Sequence, residues 1–222
     1  YAARLGELAG WCEQRGMEDA AAATRRLVTP SDPYKLYLPI LPREVGTLAV
    51  PEGAPPEAAE WHRRLARLRR ERAEGLHDLA QRAIRARQAS LELELALAAV
   101  HADPDHEAIR RLLGFQEYRD RWVTPFEGAK LRRGYVRHER FGWLPRRYVE
   151  KYEEGLRLSD GRWVSAEEDA RLHQDIRNGW LVETEHYRIR TNHSLEAGVK
   201  LGQKLELLRR VWGRLFLGYY TS

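Results

Sequence analysis

The chain contains a single cysteine, Cys12, in 222 residues. One thiol can form neither an intrachain disulfide nor a cysteine zinc cluster. A free thiol by itself leaves the compartment open. No window approaches the roughly 18 apolar residues of a membrane-spanning helix. The opening YAARLGELAG lacks a methionine, and no basic stretch leads into an apolar run. Either a signal segment was removed or the chain is part of something longer. HExxH, GxSxG, the phosphate-binding P-loop and the dinucleotide fingerprint are all missing. Carboxylates are plentiful, but none stands out as an isolated acid–base pair. Phenylalanine is scarce, with four residues against seven tryptophans and ten tyrosines. Trp and Tyr carry an apolar body and a polar handle, so they suit junctions and partner surfaces.

What is present is a solvated chain with enough apolar material for a core. Hydrophobic residues make up 43%, charged residues 32%, and mean hydropathy is -0.65. The net charge of +5 favours solubility and mild attraction to acidic partners, without specifying nucleic acid.

Residues 1–29 read as one or two short helices, with Leu5, Leu8, Trp11 and Cys12 on one stripe. Prolines then recur from Pro30 to Pro56 and exclude a continuous helix, so 30–56 reads as a connector. Within it, YKLYLPILP is apolar enough to lie extended against a core. From Glu57 the helical spacing returns through Trp61, Leu65 and Leu68, then Leu76, Leu79 and Ala83. LELELALAAV alternates like a strand, yet Leu93, Leu97 and Val100 also fit a helix, and its Glu and Ala content decides for helix. Asp103 then serves as a cap and Pro104 as the first helical residue of the next element. The stretch Ala99–Pro104, with Ala80 at a small packing position, resembles the end of a tetratricopeptide repeat. That resemblance covers about one repeat of the 57–118 region and implies a helix, a tight turn and a second helix.

RWVTPFE at Arg121 returns as RWVSAEE at Arg162, 41 residues on, a period typical of supersecondary repeats. Both copies continue to a small residue, a leucine and then Gly-Trp-Leu, at Gly142 and at Gly179. Ser165 with Glu168 forms a capping box, and Thr124 with Pro125 does the same work in the first copy. Asp160-Gly161 favours a turn, and the following helix is expected from about Ala166 to Arg177. Trp122 and Trp163 then lie just before a cap, where a large ring covers its own helix's first turn, while Trp143 and Trp180 seal the other side. The repeated phrase, over 119–182, is a strand-to-helix joint built twice.

Between the copies, Arg132, Arg133, Arg137, Arg146 and Arg147 interleave with aromatics such as Tyr148. This is the composition of a stacking and phosphate-binding surface, and equally of a packed element with a charged outer face. Nearby Glu139, Glu150, Glu153 and Glu154 weaken the nucleic-acid reading.

Residues 183–222 read as a strand, with Tyr187, Ile189 and Thr191 inward, followed by a helix capped by Asn192 or Ser194. Leu201, Leu205, Leu208, Trp212 and Leu215 keep one helix face apolar, and Phe216, Tyr219 and Tyr220 extend it. EHYRIRTNHSLEAGVKLGQKLELLRRVWGRLF resembles the opening strand and helix of peptidase-MA-like domains, a zincin group of exported planctomycete-type bacterial proteins. GRWVSAEED and YVEKYEEGLRL resemble the region preceding that domain. The resemblance spans roughly residues 114–222. It implies export with a signal segment removed, the alternative being the cytoplasm, and a zinc-binding HExxH helix further along a parent protein.

The expectation is therefore a mainly helical α+β chain. Helical hairpins, weakly tetratricopeptide-like, precede two strand–helix repeat units and a terminal strand and helix. No catalytic residue, metal ligand or cofactor is assigned. His62, His77, His101, His106, His138, His173 and His193 read as structural or exposed. The function expected is a non-catalytic structural or protein-interaction module with a protein partner. The alternatives are the amino-terminal portion of a zincin-like metallopeptidase and a weak nucleic-acid binder using 130–148.

Overall fold

The computed structural model describes residues 1–28 and 48–216. The expectations for YKLYLPILP and for Tyr219 and Tyr220 fall outside these residues. The fold is α+β: helices at the amino end, then several short strand–helix units. The chain divides into two compact units, Tyr1–Phe115 and Gln116–Phe216.

The first unit holds α1 (Ala2–Glu13), α2 (Glu18–Arg26), α3 (Pro56–Arg85), α4 (Ala89–Ala102) and α5 (Glu107–Leu112). Pro56 opens α3 at the first helical position, where its missing N–H costs nothing. Ala66, Ala73, Ala80 and Ala83 are buried along α3, and Ala96, Ala99 and Val100 along α4. Such small residues let the two helices of this hairpin approach closely. The alternating leucines of α4 thus belong to a helix buried on its alanine face. At the other end of α3, Leu5 and Leu8 meet Leu68, flanked by Trp11, Trp61 and Leu65. The Trp61 indole N–H donates to the Thr24 hydroxyl at 2.9 Å, tying α2 to α3.

The α4–α5 connection corrects the expected cap. Asp103 ends α4 in extended conformation, and the next helix starts at Glu107 with His106 as its N-cap. Asp103 instead organises a turn, its carboxylate accepting from the Asp105 N–H at 3.2 Å. An Asp-Pro pair favours turns as much as helix starts, and here the turn prevails.

The second unit contains four antiparallel two-stranded hairpins, each followed by a helix. The first is β1 (Gln116–Tyr118) with β2 (Arg121–Val123), leading into α6 (Pro125–Arg132). Next come β3 (Tyr135–His138) and β4 (Gly142–Pro145), a single 3-10 turn over Arg146–Tyr148, and α7 (Val149–Glu153). The third is β5 (Leu156–Ser159) with β6 (Arg162–Ser165) and α8 (Ala166–Leu172). The fourth is β7 (Trp180–Glu183) with β8 (Arg188–Thr191) and α9 (Leu195–Leu215). Asp160 and Gly161 have φ of 48° and 80°, the conformation a two-residue hairpin turn requires. Trp122, Trp143 and Trp163 all lie on second strands, 21 and 20 residues apart. The 41-residue period therefore spans two units. Gly142-Trp-Leu and Gly179-Trp-Leu occupy different strands of their hairpins, so that part of the sequence alignment does not reflect equivalent positions.

The helix entrances form as their residues dictate. Thr124 and Glu127 close a complete capping box, with Pro125 at the first helical position. Ser165 accepts from the Glu168 N–H at 3.1 Å, which makes only the serine half of the expected box. Helix α8 stops at Leu172, short of Arg177, because residues 176–178 form a 3-10 turn capped by Asp175. Ser194, not Asn192, caps α9, while Asn192 donates to the Gln174 carbonyl.

Three tryptophan rings find aromatic partners in the helical segment before their hairpin. Trp143 meets Phe126 of α6 edge to face, centroids 6.1 Å apart. Trp163 lies edge-on to Tyr148 at 5.1 Å and to Tyr152 at 6.1 Å, under the Lys151 ammonium. Trp180 stacks on His173 of α8 at 4.5 Å and donates to Asp169 at 2.7 Å. Each ring thus seats its hairpin on the preceding helical segment. Helix α9 covers the fourth hairpin, where Val182, Ile189 and Val199 form a core. Gly198 and Gly202 permit this contact: a Cβ there would come within 2.9 Å of Thr191 and 2.7 Å of Thr184. Farther along, Leu201, Leu208, Trp212 and Leu215 are exposed, so only part of the expected stripe is covered among the described residues.

Arg157 fastens α9 to the third hairpin. Its buried guanidinium donates to the carbonyls of Tyr152 and Leu156 and to Glu196 at 3.0 Å. Phe141 and Tyr152 flank it at 4.4 and 5.1 Å. Trp163→Ala is expected to lower unfolding free energy by about 2 kcal/mol, below the roughly 3–5 kcal/mol of a fully buried ring, because Trp163 is half-exposed. Glu196→Ala is expected to cost about 2 kcal/mol by stranding a buried cation. Urea denaturation checks both values, and a change under about 0.5 kcal/mol would contradict either packing role.

Candidate metal site

Helix α3 places Glu74 and His77 three residues apart, so both side chains share one face. The turn after α4 brings His106 to that face. The ligand atoms of Glu74, His77 and His106 all lie within 4.8 Å of one another. His106 Nε2 stands 3.5 Å from Glu74 Oε2, and the two imidazole centroids are 5.1 Å apart. A tetrahedral zinc with bonds near 2.1 Å separates its ligand atoms by about 3.4 Å. The Glu74–His106 pair is already at that separation. Glu74 is 70% exposed, so its carboxylate has room to adjust toward a bound ion.

The His106 turn is held from three sides. The Arg110 guanidinium donates to the Pro104 carbonyl at 2.7 Å and lies over Phe115. Arg69 donates to the carbonyls of His101 and Ala102 at 2.7 and 2.9 Å, satisfying the last turn of α4. Asp103 closes the third side through the Asp105 N–H. Burial pushes the pKa of both guanidiniums below the ordinary arginine value, yet arginine keeps its charge at any physiological pH. These are costly groups to place around a turn, and they fix its geometry.

His106 has only 8% of its side chain exposed. Its Nδ1 accepts the Ile109 N–H at 3.4 Å, capping α5. Its Nε2 is buried and has no hydrogen-bond partner. An orphaned buried polar atom is unusual enough to require a reason. His106 also belongs to the wall of a surface cavity of about 410 Å³, with Glu74, Asp103, Glu107, Ala108 and Arg111. Glu107 and Arg111 pair across its edge at 2.6 Å.

None of the residues selected from the sequence belongs to this site. Trp143, Trp163 and Trp180 act in packing, and Trp122 pairs opposite Glu117 on β2. Ser165 and Glu168 form the α8 entrance. Arg132 and Arg133 are exposed at the end of α6, beside exposed Arg146 and Arg147, because the Arg146 N–H bonds the Gly134 carbonyl. Arg137 pairs opposite Trp143, and the Tyr148 hydroxyl accepts from Arg147. Among the described residues these five arginines make no ion pair with a carboxylate. The sequence signal for the metal cluster was Glu-x-x-His at 74–77.

Among the described residues no helix is long and apolar enough to cross a membrane. Comparison of the chain with protein-family models, with curated proteins and with solved structures finds no match in any of the three.

Proposed function

We propose that this is a metal-dependent protein whose helical unit binds one divalent transition-metal ion through Glu74, His77 and His106. The observation that carries the reading is the buried His106 Nε2, without a hydrogen bond and 3.5 Å from the Glu74 carboxylate, in a cluster with a second imidazole. Two imidazoles and one carboxylate suit zinc or ferrous iron, whereas magnesium and calcium prefer oxygen donors alone. Three protein ligands leave a position open, and the adjoining cavity has room there for water or a small ligand. Lewis-acid hydrolysis is the chemistry an open zinc site of this donor set supplies.

This reading agrees in kind with the resemblance to peptidase-MA-like zincins, but its donors are not an HExxH motif. It places a metal earlier in the chain than that family would. Whether a zincin domain accompanies this region in a parent protein is part of the same proposal. A second reading, an interaction framework, is favoured for the hairpin–helix unit by the exposed Leu208, Trp212 and Leu215 of α9.

Calorimetric titration of the metal-stripped chain with zinc chloride is expected to give one site. Glu74→Gln and His77→Ala should each weaken it at least about tenfold. Zinc at a hundred times its Kd should add about 2.7 kcal/mol of stability, removable with a chelator. No stoichiometric binding, or variants that bind like the parent chain, would overturn the site.

A further inference from the structure

We infer that His106 cannot cap α5 and hold a metal ion at the same time, so that occupation of the site releases the first turn of α5. The inference rests on the metal-binding reading and adds a conformational consequence to it. In the metal-free arrangement Nδ1 is a hydrogen-bond acceptor, because it receives the Ile109 N–H. A neutral imidazole carries one proton, which must then sit on Nε2. Nε2 is the nitrogen facing Glu74.

A metal bond needs the Nε2 lone pair. The Nε2 proton therefore leaves to solvent, and Nδ1 takes one up, giving the other tautomer with no net change in protonation. Nδ1–H then points at the Ile109 N–H, donor against donor, and the cap bond is lost. Metal-bound histidines ordinarily turn their outer N–H toward a carbonyl or carboxylate. Here the outer nitrogen faces a donor, so the polarity is reversed and the conflict is built into the fold.

The released turn carries Glu107 and Ala108, which line the cavity. Loosening it alters the wall around the open metal position. Ile109 and Arg110, both buried, anchor the rest of α5, so the change is confined to its first turn.

The test uses the full chain labelled with nitrogen-15, with and without zinc chloride. Long-range imidazole spectra should report Nε2–H on His106 in the metal-free chain and Nδ1–H in the zinc-bound chain. Amide exchange at Ile109 should accelerate about fivefold on zinc binding, as expected for a lost cap, while buried amides of α3 and α4 slow. His106→Asn keeps a good capping side chain. In that variant zinc affinity should fall at least about tenfold, and Ile109 exchange should not respond to zinc. If zinc binds to the parent chain while Nδ1 stays an acceptor and Ile109 stays protected, the coupling is wrong and the metal site stands. If zinc does not bind, both readings fail.

Discussion

A two-stranded hairpin is barely stable alone, because it has a face to bury and nothing of its own to bury it with. The second unit meets that constraint in the same way for three of its four hairpins. Three of its hairpins place a tryptophan on the preceding helical segment, and the fourth is also covered by α9. Trp143, Trp163 and Trp180 each remain half-buried, so the rings act as bridges between successive units rather than as a shared core. The polar handle matters most at Trp180. Its N–H donates to Asp169, which is 3% exposed and also lies 3.4 Å from the His173 ring. Arg157 plays the complementary part, a buried cation whose donors reach two carbonyls and Glu196.

Much of this was legible because it is local. The Thr124 and Ser165 caps, the Asp160-Gly161 turn, the Ser194 entrance to α9 and the helical reading of the α4 leucines need only neighbouring residues. What failed were inferences across a distance. Matching Arg121-Trp-Val to Arg162-Trp-Val steps over the hairpin between them, and matching Gly142-Trp-Leu to Gly179-Trp-Leu pairs opposite strands of their hairpins. Placing each ring over its own helix overlooked the preceding segment. The helix nearest in sequence follows the strand, but the aromatic partners of Trp143, Trp163 and Trp180 lie in the segment that precedes it.

The metal cluster divides the same way. Glu74-x-x-His77 is a local pattern and could be read directly from helical spacing. His106 joins it only because α3 and α4 pack through alanines and because the turn between α4 and α5 is pinned by Arg69 and Arg110. No spacing rule connects His77 to His106 across an intervening helix. Reading each histidine as structural was reasonable residue by residue, and it could not detect two of them converging.

The other histidines with visible partners show why His106 stands apart. His138 accepts two backbone N–H groups at Nδ1 and offers Nε2 to Glu153 at 3.3 Å. His173 bonds the Asp169 carbonyl at 2.7 Å and stacks on Trp180. His186 meets Glu206 at 2.8 Å. In each case an imidazole nitrogen finds a strong partner, and the ring serves a turn or a packing contact. His106 uses one nitrogen in the same structural manner and leaves the other buried without a hydrogen bond, 3.5 Å from the Glu74 carboxylate. A fold that merely needed an α5 cap could use Asn, Asp or Ser, none of which would bury an idle nitrogen. Three rigid contacts nonetheless hold it opposite Glu74 and His77. The unsatisfied nitrogen is accounted for if the bond it lacks is one to a metal ion.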